Sequence, residues 1–581
     1  MARCSGIVVL LVLSLFTVSS HPSSAIAATS DVAGVTPPGA DSRGTGVGDG
    51  SAAAESYGAG AARTAVGGEA LLAGDRALPE LPGWPAVMGI TTNYAPGEGP
   101  ATVDIDGDGI MEIFATSTDH RLYGWRVSGA ALPGFPVTLN GMAQTSPAIG
   151  DVDGDGAPEI LVATTASYAY AFRTDGTAVP GWPKHLSGSM LGFISFVLRD
   201  FDHDGVLEAI LPCGNSLYVW RGDGSNYPGF PVNFASTYGP CATPAVGDLD
   251  GDGQLEIVLE GWEWLHVFHQ DGSVAQGWPY RLSLSYEGFS YSSPVLVDAD
   301  GDSYLEIVAA YHESGGGNWA GKVAVWRRDG TLMPGWPYVM ADFGSWCYST
   351  AAVADVDEDG ALEFAMTSHN GRLYLFNFDG SQAPGFPIHT GYVNLEASCA
   401  IADLDDDSHL EICFGSNNPV YLGYERDGTV APGFPTPMSA GMVVSGSCVA
   451  DVDGDGRVNI CAHEASGRVH LWDLPSPIRS DLLPWVRPHH DDHHTNLFSS
   501  VDPSALPDRF SSAFGSEGTL RLIPNPSHGD VRLLWTAGPG DLEWTIHDAC
   551  GRRVGTGVLA ASRSTGLHPG SAFSIDLDGL R

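Results

Sequence analysis

Positive charge is what this chain has least of. Its 581 residues carry 27 Lys and Arg against 69 Asp and Glu, a formal net charge of −42. A polyanion partner such as DNA or RNA requires clustered Lys and Arg, so nucleic-acid binding is excluded and cations become the natural partners. Long apolar runs are scarce too. The longest, residues 7–18, is 12 residues, short of the roughly 20 that span a bilayer. Nothing after it approaches spanning length. Cysteine is sparse, with 9 in all. Catalytic signatures are missing: there is no GxSxG elbow, no HExxH and no nucleophile/base pair at diagnostic spacing, so no catalytic residue and no organic cofactor is assigned. Glycine and proline are abundant, at 75 and 39, which suits a turn-rich sheet protein with 43% hydrophobic residues for a core.

The N-terminus reads as a secretory signal peptide over residues 1–28. Arg3 supplies the positive region, residues 7–18 the apolar region and Ala25-Ile26-Ala27 the cleavage signature. An uncleaved anchor is the alternative. The expected location is secreted, extracellular or at the cell surface, with no membrane span after cleavage. Cys213, Cys241, Cys347, Cys399, Cys413, Cys448, Cys461 and Cys550 remain, an even set in a compartment that permits disulfides. Cys399 with Cys413, and Cys448 with Cys461, flank two equivalent loops and either bridge neighbouring strands or stay as buried thiols. Residues 29–78, rich in Ala, Gly and Ser, read as a flexible linker.

One motif then recurs eight times: Asp-x-Asp-x-Asp-[Gly/Ser]-x-x-[Glu/Asn]. It starts at Asp104, Asp151, Asp200, Asp248, Asp298, Asp355, Asp403 and Asp451, with spacings of 47, 49, 48, 50, 57, 48 and 48. A fixed period of this size means an array of one supersecondary unit. Each unit has an apolar segment before the motif, a β-rich segment after it and a third segment ending in an aromatic, as in LYGW or AYAF. Six units then carry an Asp-Gly-[Ser/Thr] turn, a hairpin signal. A [Pro/Gln]-Gly-[Trp/Phe]-Pro segment and a fourth strand follow. Four short strands per unit predict an all-β fold, the β-propeller. The Pro-Gly-Trp-Pro type segments, at 82–85, 133–136, 180–183, 228–231, 276–279, 334–337, 384–387 and 432–435, run one unit out of phase with the aspartate motifs. If the first supplies the outer strand of the last blade, eight blades close into a ring without open edges. Seven blades and a stray unit is the alternative. The Trp and Phe of these segments are expected between blades.

Carboxylates at positions 1, 3 and 5 converge when the loop curls, a small residue at position 6 permits the turn and position 9 closes the shell. Hard oxygen donors in a flexible loop favour calcium. The expected ligands are Asp104, Asp106, Asp108 and Glu112; Asp151, Asp153, Asp155 and Glu159; Asp200, Asp202, Asp204 and Glu208; Asp248, Asp250, Asp252 and Glu256; Asp298, Asp300, Asp302 and Glu306; Asp355, Asp357, Asp359 and Glu363; Asp403, Asp405, Asp407 and Glu411; and Asp451, Asp453 and Asp455. Ser303 and Ser408 replace Gly at position 6, and Asn459 replaces the eighth closing Glu. Up to eight calcium ions would move the net charge from −42 to −26, at two charges each.

These Asp-x-Asp-Gly-Asp-Gly-x-x-Glu loops resemble the FG-GAP/VCBS repeats of secreted bacterial proteins and of integrin α-subunit propellers, over about residues 79–475. The resemblance implies calcium bound for structure rather than catalysis, and ligands met on the opposite face. That face is expected to carry Trp262, Trp264, Tyr286, Phe289, Trp346 and Tyr348, with about seven extra residues in blade five (YHESGGGNWAGK) that include His312, Glu313 and Trp319. Clustered aromatics there suggest a glycan or protein ligand. Residues 485–498 (WVRPHHDDHHTNLF) hold His489, His490, Asp491, Asp492, His493 and His494. They read as the closing tail of the propeller, which resembles a W-x-x-x-x-H-D-x-x-x-T pattern, rather than as a transition-metal site. Arg221-Gly222-Asp223 spells an adhesion tripeptide but occupies an ordinary hairpin turn.

After a linker at 499–516 the pattern changes. Residues 517–581 read as short strands and resemble a partial type IX secretion sorting or FlgD-like Ig module, through Leu522-Ile523-Pro524-Asn525-Pro526 and Ile546-His547-Asp548 with Gly551-Arg552. The last strand of that family is missing at Arg581. The expected function is a secreted calcium-binding repeat protein acting in extracellular or cell-surface binding and adhesion. The alternative is a calcium-dependent, lyase-type polysaccharide enzyme built on the propeller.

Overall fold

The computed structural model describes residues 78–90, 99–143, 145–188, 194–236, 239–240, 242–282, 291–315, 318–340, 344–393, 395–438, 446–479, 483–487, 489–491 and 493–498. It also describes strands at 519–524, 531–534, 542–547 and 553–559. The expected signal peptide, the Ala/Gly/Ser linker, the 499–516 linker, Cys241, Tyr286, Phe289, Asp492 and Cys550 lie outside the described residues.

Each period folds into one antiparallel four-stranded sheet. In blade two the strands are Ala148–Gly150, Glu159–Ala163, Tyr168–Phe172 and Lys184–His185, in that order from the ring axis outward. The inner strands have three residues and the outer strands two, while the second strand of blade two, EILVA, is apolar after its closing acid and buried along its whole length. That pattern fits a sheet covered on both faces. Eight such sheets are present, so the fold is an all-β, eight-bladed propeller.

Blade eight takes its outer strand from the chain's beginning. Ala86–Val87 pairs antiparallel with Arg468–Pro477, with Ala86 opposite Val469 and Val87 opposite Arg468. The Leu81 N–H donates to the Leu471 carbonyl at 2.9 Å, and the Glu80 carboxylate meets the His470 ring. The one-unit phase shift of the sequence is therefore the closure of the ring.

Blades meet through the aromatic segments. Trp84, Phe135, Trp182, Phe230, Trp278, Trp336, Phe386 and Phe434 are all buried. Four indoles donate to a carbonyl of the following blade: Trp84 to Val127, Trp182 to Gly222, Trp278 to Arg328 and Trp336 to Phe378, at 2.6–3.0 Å. The glycine before each ring presses on the next blade's turn. A Cβ at Gly181, whose φ is +93°, would stand 2.1 Å from the Asp223 carbonyl.

Residues 485–498 run along the inner edges of the blades. The Ile401 and Val449 N–H groups donate to the Trp485 and Val486 carbonyls; those of Leu198, Val246 and Leu296 donate to His493, Thr495 and Asn496. Leu497–Phe498 then adds a parallel strand to blade five. The tail thus satisfies inner-strand donors of blades three, four, five, seven and eight, which face the ring axis.

The C-terminal strands form a separate four-stranded sheet in the order 531–534, 519–524, 542–547, 553–559, with one parallel pair. The 573–581 segment and Asn525-Pro526 of the motif lie outside the described residues. Among the described residues no helix is long and apolar enough to cross a membrane.

Candidate metal centre and the face opposite it

The aspartate motif joins the first and second strands of every blade, and one hydrogen-bond scheme shapes all eight loops. In the first, Asp104 accepts from the Gly107 N–H (Oδ1, 2.8 Å) and the Gly109 N–H (Oδ2, 2.8 Å). Asp108 Oδ1 accepts from the Ile110 N–H at 2.8 Å, and Glu112 Oε2 accepts from the Ile105 N–H at 3.3 Å. The closing residue's bond to position 2 recurs at Glu159, Glu208, Glu256, Glu306, Glu363, Glu411 and, through Oδ1, Asn459. One oxygen of each closing acid is thus tied to backbone, leaving the other for the loop's interior.

Positions 4 and 6 are both left-handed. Ser303 and Ser408, at φ 73°, keep the conformation that Gly has elsewhere at position 6. His203, Glu358 and Asp406 hold position 4 at φ 59–69°. Non-glycine residues there cost on the order of 1 kcal/mol or more each, and strain of this kind concentrates at functional loops.

The structure brings positions 1, 3 and 9 together. In the sets Asp104/Asp106/Glu112, Asp151/Asp153/Glu159, Asp200/Asp202/Glu208, Asp248/Asp250/Glu256 and Asp298/Asp300/Glu306, one oxygen from each residue lies within 4.8 Å of the others. That is about the span of two oxygens across a calcium ion, at roughly 2.3–2.6 Å each. The position 5 aspartates, Asp108, Asp155, Asp204, Asp252, Asp302, Asp359, Asp407 and Asp455, each accept a hydrogen bond from the N–H two residues on. They stand outside the five sets above.

These acids are poorly compensated by the protein itself. Burial pushes Glu159, Glu208, Glu256 and Glu306 up to about 7, Glu363 to about 8 and Glu411 to about 9, and the neighbouring aspartates add to the rise. Asp202 Oδ1, Asp355 Oδ1, Asp405 Oδ1, Glu411 Oε1 and Asp451 Oδ1 are buried without a hydrogen-bond partner. Orphaned buried oxygens in a hard-donor shell fit a divalent cation, so these clusters can hold metal ions.

The second-to-third-strand turns and the blade-to-blade connections lie at the opposite ends of the strands. There the rings of His312, Trp346 and His369 stack in sequence, with centroids 5.8 and 5.2 Å apart. Tyr348 stacks on Tyr291 at 5.0 Å, and Glu396 Oε1 lies 3.5 Å from His369 Nε2. His312 is fully buried, which pushes it down to about 3, and burial lowers His369 as well. Both rings are therefore neutral near pH 7. Trp264 stands apart from this group, under the Arg281 guanidinium at 5.4 Å, and Trp262 sits in the turn with φ 22°. The extra residues of blade five extend a hairpin, Glu306–Gly315 against Asn318–Trp326. The side chains of Glu313 and Trp319 lie outside the described residues.

The remaining motifs are structural. Gly222 of the adhesion tripeptide is buried, and a Cβ there would fall 1.7 Å from the Val152 carbonyl, while Arg221 pairs with Asp202 at 3.4 Å. In the tail, Asp491 accepts from the His493 N–H, the Thr495 N–H and the Thr495 hydroxyl at 2.5–3.1 Å. Burial alone would raise the Asp491 carboxyl. The nearby His490, 3.5 Å away, the charge of His493 and the hydrogen bond from the Thr495 hydroxyl outweigh it and hold it well below the usual range. His489 bonds Asn496, and His494 bonds the Phe196 carbonyl. Cys213, Cys347, Cys399, Cys413, Cys448 and Cys461 are buried free thiols, although Cys448 faces Cys461 across paired strands.

Two features escaped the sequence reading. Glu260 is fully buried with neither carboxylate oxygen bonded, and nothing in EIVLEG distinguishes it from a surface-facing strand acid. The residue across the strand pair from each closing acid varies from Arg to Asp, a variation visible once the repeats are stacked.

Residues 104–162, 151–211, 212–259 and 298–366 match the FG-GAP-like repeat. No curated protein matches the chain in sequence. Among solved structures, BamB from Moraxella catarrhalis is similar at 15% identity over 65% of this chain and 98% of that one, with a TM-score of 0.43. The V. cholerae biofilm matrix protein Bap1 is similar at 12% identity over 71% and 92%, with a TM-score of 0.47. Saccharomyces cerevisiae Sqt1 is similar at 10% identity over 68% and 100%, with a TM-score of 0.46.

Proposed function

We propose that this chain, an eight-bladed propeller with FG-GAP-like repeats, is an extracellular calcium-binding module of the binding and adhesion type. Its calcium is structural, and its ligand, a glycan or a protein, docks on the face opposite the aspartate loops. The observation that carries the reading is the loop set: eight loops of one conformation, four of them strained by a non-glycine residue at positive φ, with clustered carboxylates and, in four loops, buried oxygens with no partner. A cation in each loop would neutralise the acids and fasten the first strand of a blade to the second. Positions 1, 3 and 9 would hold it; calcium supplies charge neutralisation there.

The opposite face supports binding rather than turnover. Its half-buried Trp346, His369, Tyr291 and Tyr348 offer stacked rings and a neutral imidazole, and the buried His312 backs Trp346 from below. The loop carboxylates lie at the other ends of the strands, so no calcium loop joins that group among the described residues. The signal-peptide-like pattern of residues 1–28 supports export, and the likeness of residues 517–581 to a sorting module supports surface delivery.

The test is a glycan-array and polysaccharide-degradation screen on the purified chain, with calcium and with chelator. Calcium-dependent binding without product, weakened by Trp346→Ala, is expected. New reducing or unsaturated ends would replace this reading with the lyase-type one.

A further inference from the structure

The eight loops are not electrostatically equal, and the difference lies outside the repeated motif. The second and third strands pair so that one third-strand residue stands beside each closing acid. In the first five blades that residue is cationic or can become so. Arg126 Nη1 is 3.9 Å from Glu112 Oε1. Arg173 Nη2 is 2.7 Å from Asp153 and 3.9 Å from Asp155. Arg221 is 3.4 Å from Asp202, His269 Nδ1 is 3.1 Å from Glu256, and Arg327 is 3.7 Å from Asp300. In blade six the residue opposite Glu363 is the neutral Asn377. In blade seven it is Glu425, beside Glu411; there Arg479 reaches Asp403 at 3.5 Å and offsets the added charge.

Blade eight differs most. Its closing residue is Asn459, which pairs across the strands with Asp473. Asn459 Oδ1 accepts from the Val452 and Asp453 N–H groups, so its Nδ2, a donor, takes the place that the free oxygen of a closing Glu has elsewhere. A donor cannot ligate a cation. Asn459 is fully buried and its Nδ2 has no partner; Asp451 Oδ1 and Asp473 Oδ1 are also buried and unpartnered. Among the loops of blades one, two, four and five no carboxylate oxygen is orphaned in this way within the described residues. Arg457, the nearby cation, is exposed.

We propose that Asp473 is the missing carboxylate ligand of the eighth loop, and that the third-strand residue sets each loop's cation affinity. An Arg in this position competes with the incoming ion, as Arg173 does at Asp153. A carboxylate adds to the shell. The eighth loop therefore keeps three carboxylates, Asp451, Asp453 and Asp473, with the closing acid moved from the second strand to the third, and the second loop binds more weakly than its own motif implies.

This inference rests on the calcium reading above, and its test separates the two. The full chain, stripped with chelator, is titrated with calcium by calorimetry, and bound ions are counted by native mass spectrometry. Asp473→Asn is expected to lose one ion. Adding Asn459→Glu to that variant is expected to restore it. Arg173→Gln is expected to tighten one site by about tenfold, the effect of removing one close opposing charge. An Asp473→Asn chain with the wild-type count and affinity overturns the ligand assignment. An Arg173→Gln chain with unchanged affinities overturns the tuning role, even if Asp473→Asn fails to fold. A wild-type chain that takes up no calcium overturns the calcium reading itself.

Discussion

At the scale of the residue, the most exacting position is Glu260. It is the penultimate residue of the second strand of blade four, Glu256–Gly261, and is fully buried with both carboxylate oxygens unbonded. Burial raises its pKa well above the usual range. The folded protein therefore holds it neutral where the unfolded chain, at about 4.3, would ionise it. Below that value the folded and unfolded states bind the same proton and nothing is lost. As pH rises above it, the unfolded state sheds the proton first, so stability falls until the folded-state value is passed. Glu260→Gln removes this slope. The variant is expected to be more stable than wild type at pH 7, by on the order of 1–4 kcal/mol, with the difference vanishing near pH 4. Denaturant midpoints across that range check it, and equal midpoints at pH 7 would refute it. This residue was illegible in sequence because a polar side chain's neighbours are set by the adjacent blade. The aspartate loops were legible for the opposite reason: their hydrogen bonds run between residues two to seven apart, so spacing alone encodes them.

At the scale of the element, the tail at 485–498 is a brace rather than a metal site. Its carbonyls accept from inner strands of five blades, and Trp485, fully buried, lies with its ring 4.9 Å from His490 and 6.4 Å from Phe498. Trp485→Ala opens a large cavity at that point and is expected to cost about 3–5 kcal/mol. Denaturant unfolding measures it; a loss under about 1 kcal/mol would mean the tail does not brace the ring. The histidines were conspicuous in sequence, but their role was not, since the tail is anchored mainly by backbone bonds that leave no side-chain signature. The blade-five insertion shows the same limit: its length was plain, whereas its form, a longer hairpin, depends on the pairing of Gly315 with Asn318. Asp473 was hidden likewise, because it meets the eighth loop only through strand register.

At the scale of the whole molecule, the ring and its charge explain each other. Eight blades close because the first aromatic segment returns to the last sheet, and that phase shift could be counted in the sequence. Closure places eight acidic loops around one rim of a chain whose net charge is −42. Such a rim repels itself unless cations are present. The most direct test is thermal unfolding of the chelator-stripped chain before and after calcium is restored, with the bound metal counted by elemental analysis. The account predicts about eight equivalents of calcium and a melting temperature that rises with calcium concentration through the millimolar range. A chain that melts at the same temperature with and without calcium, and retains none, would contradict it.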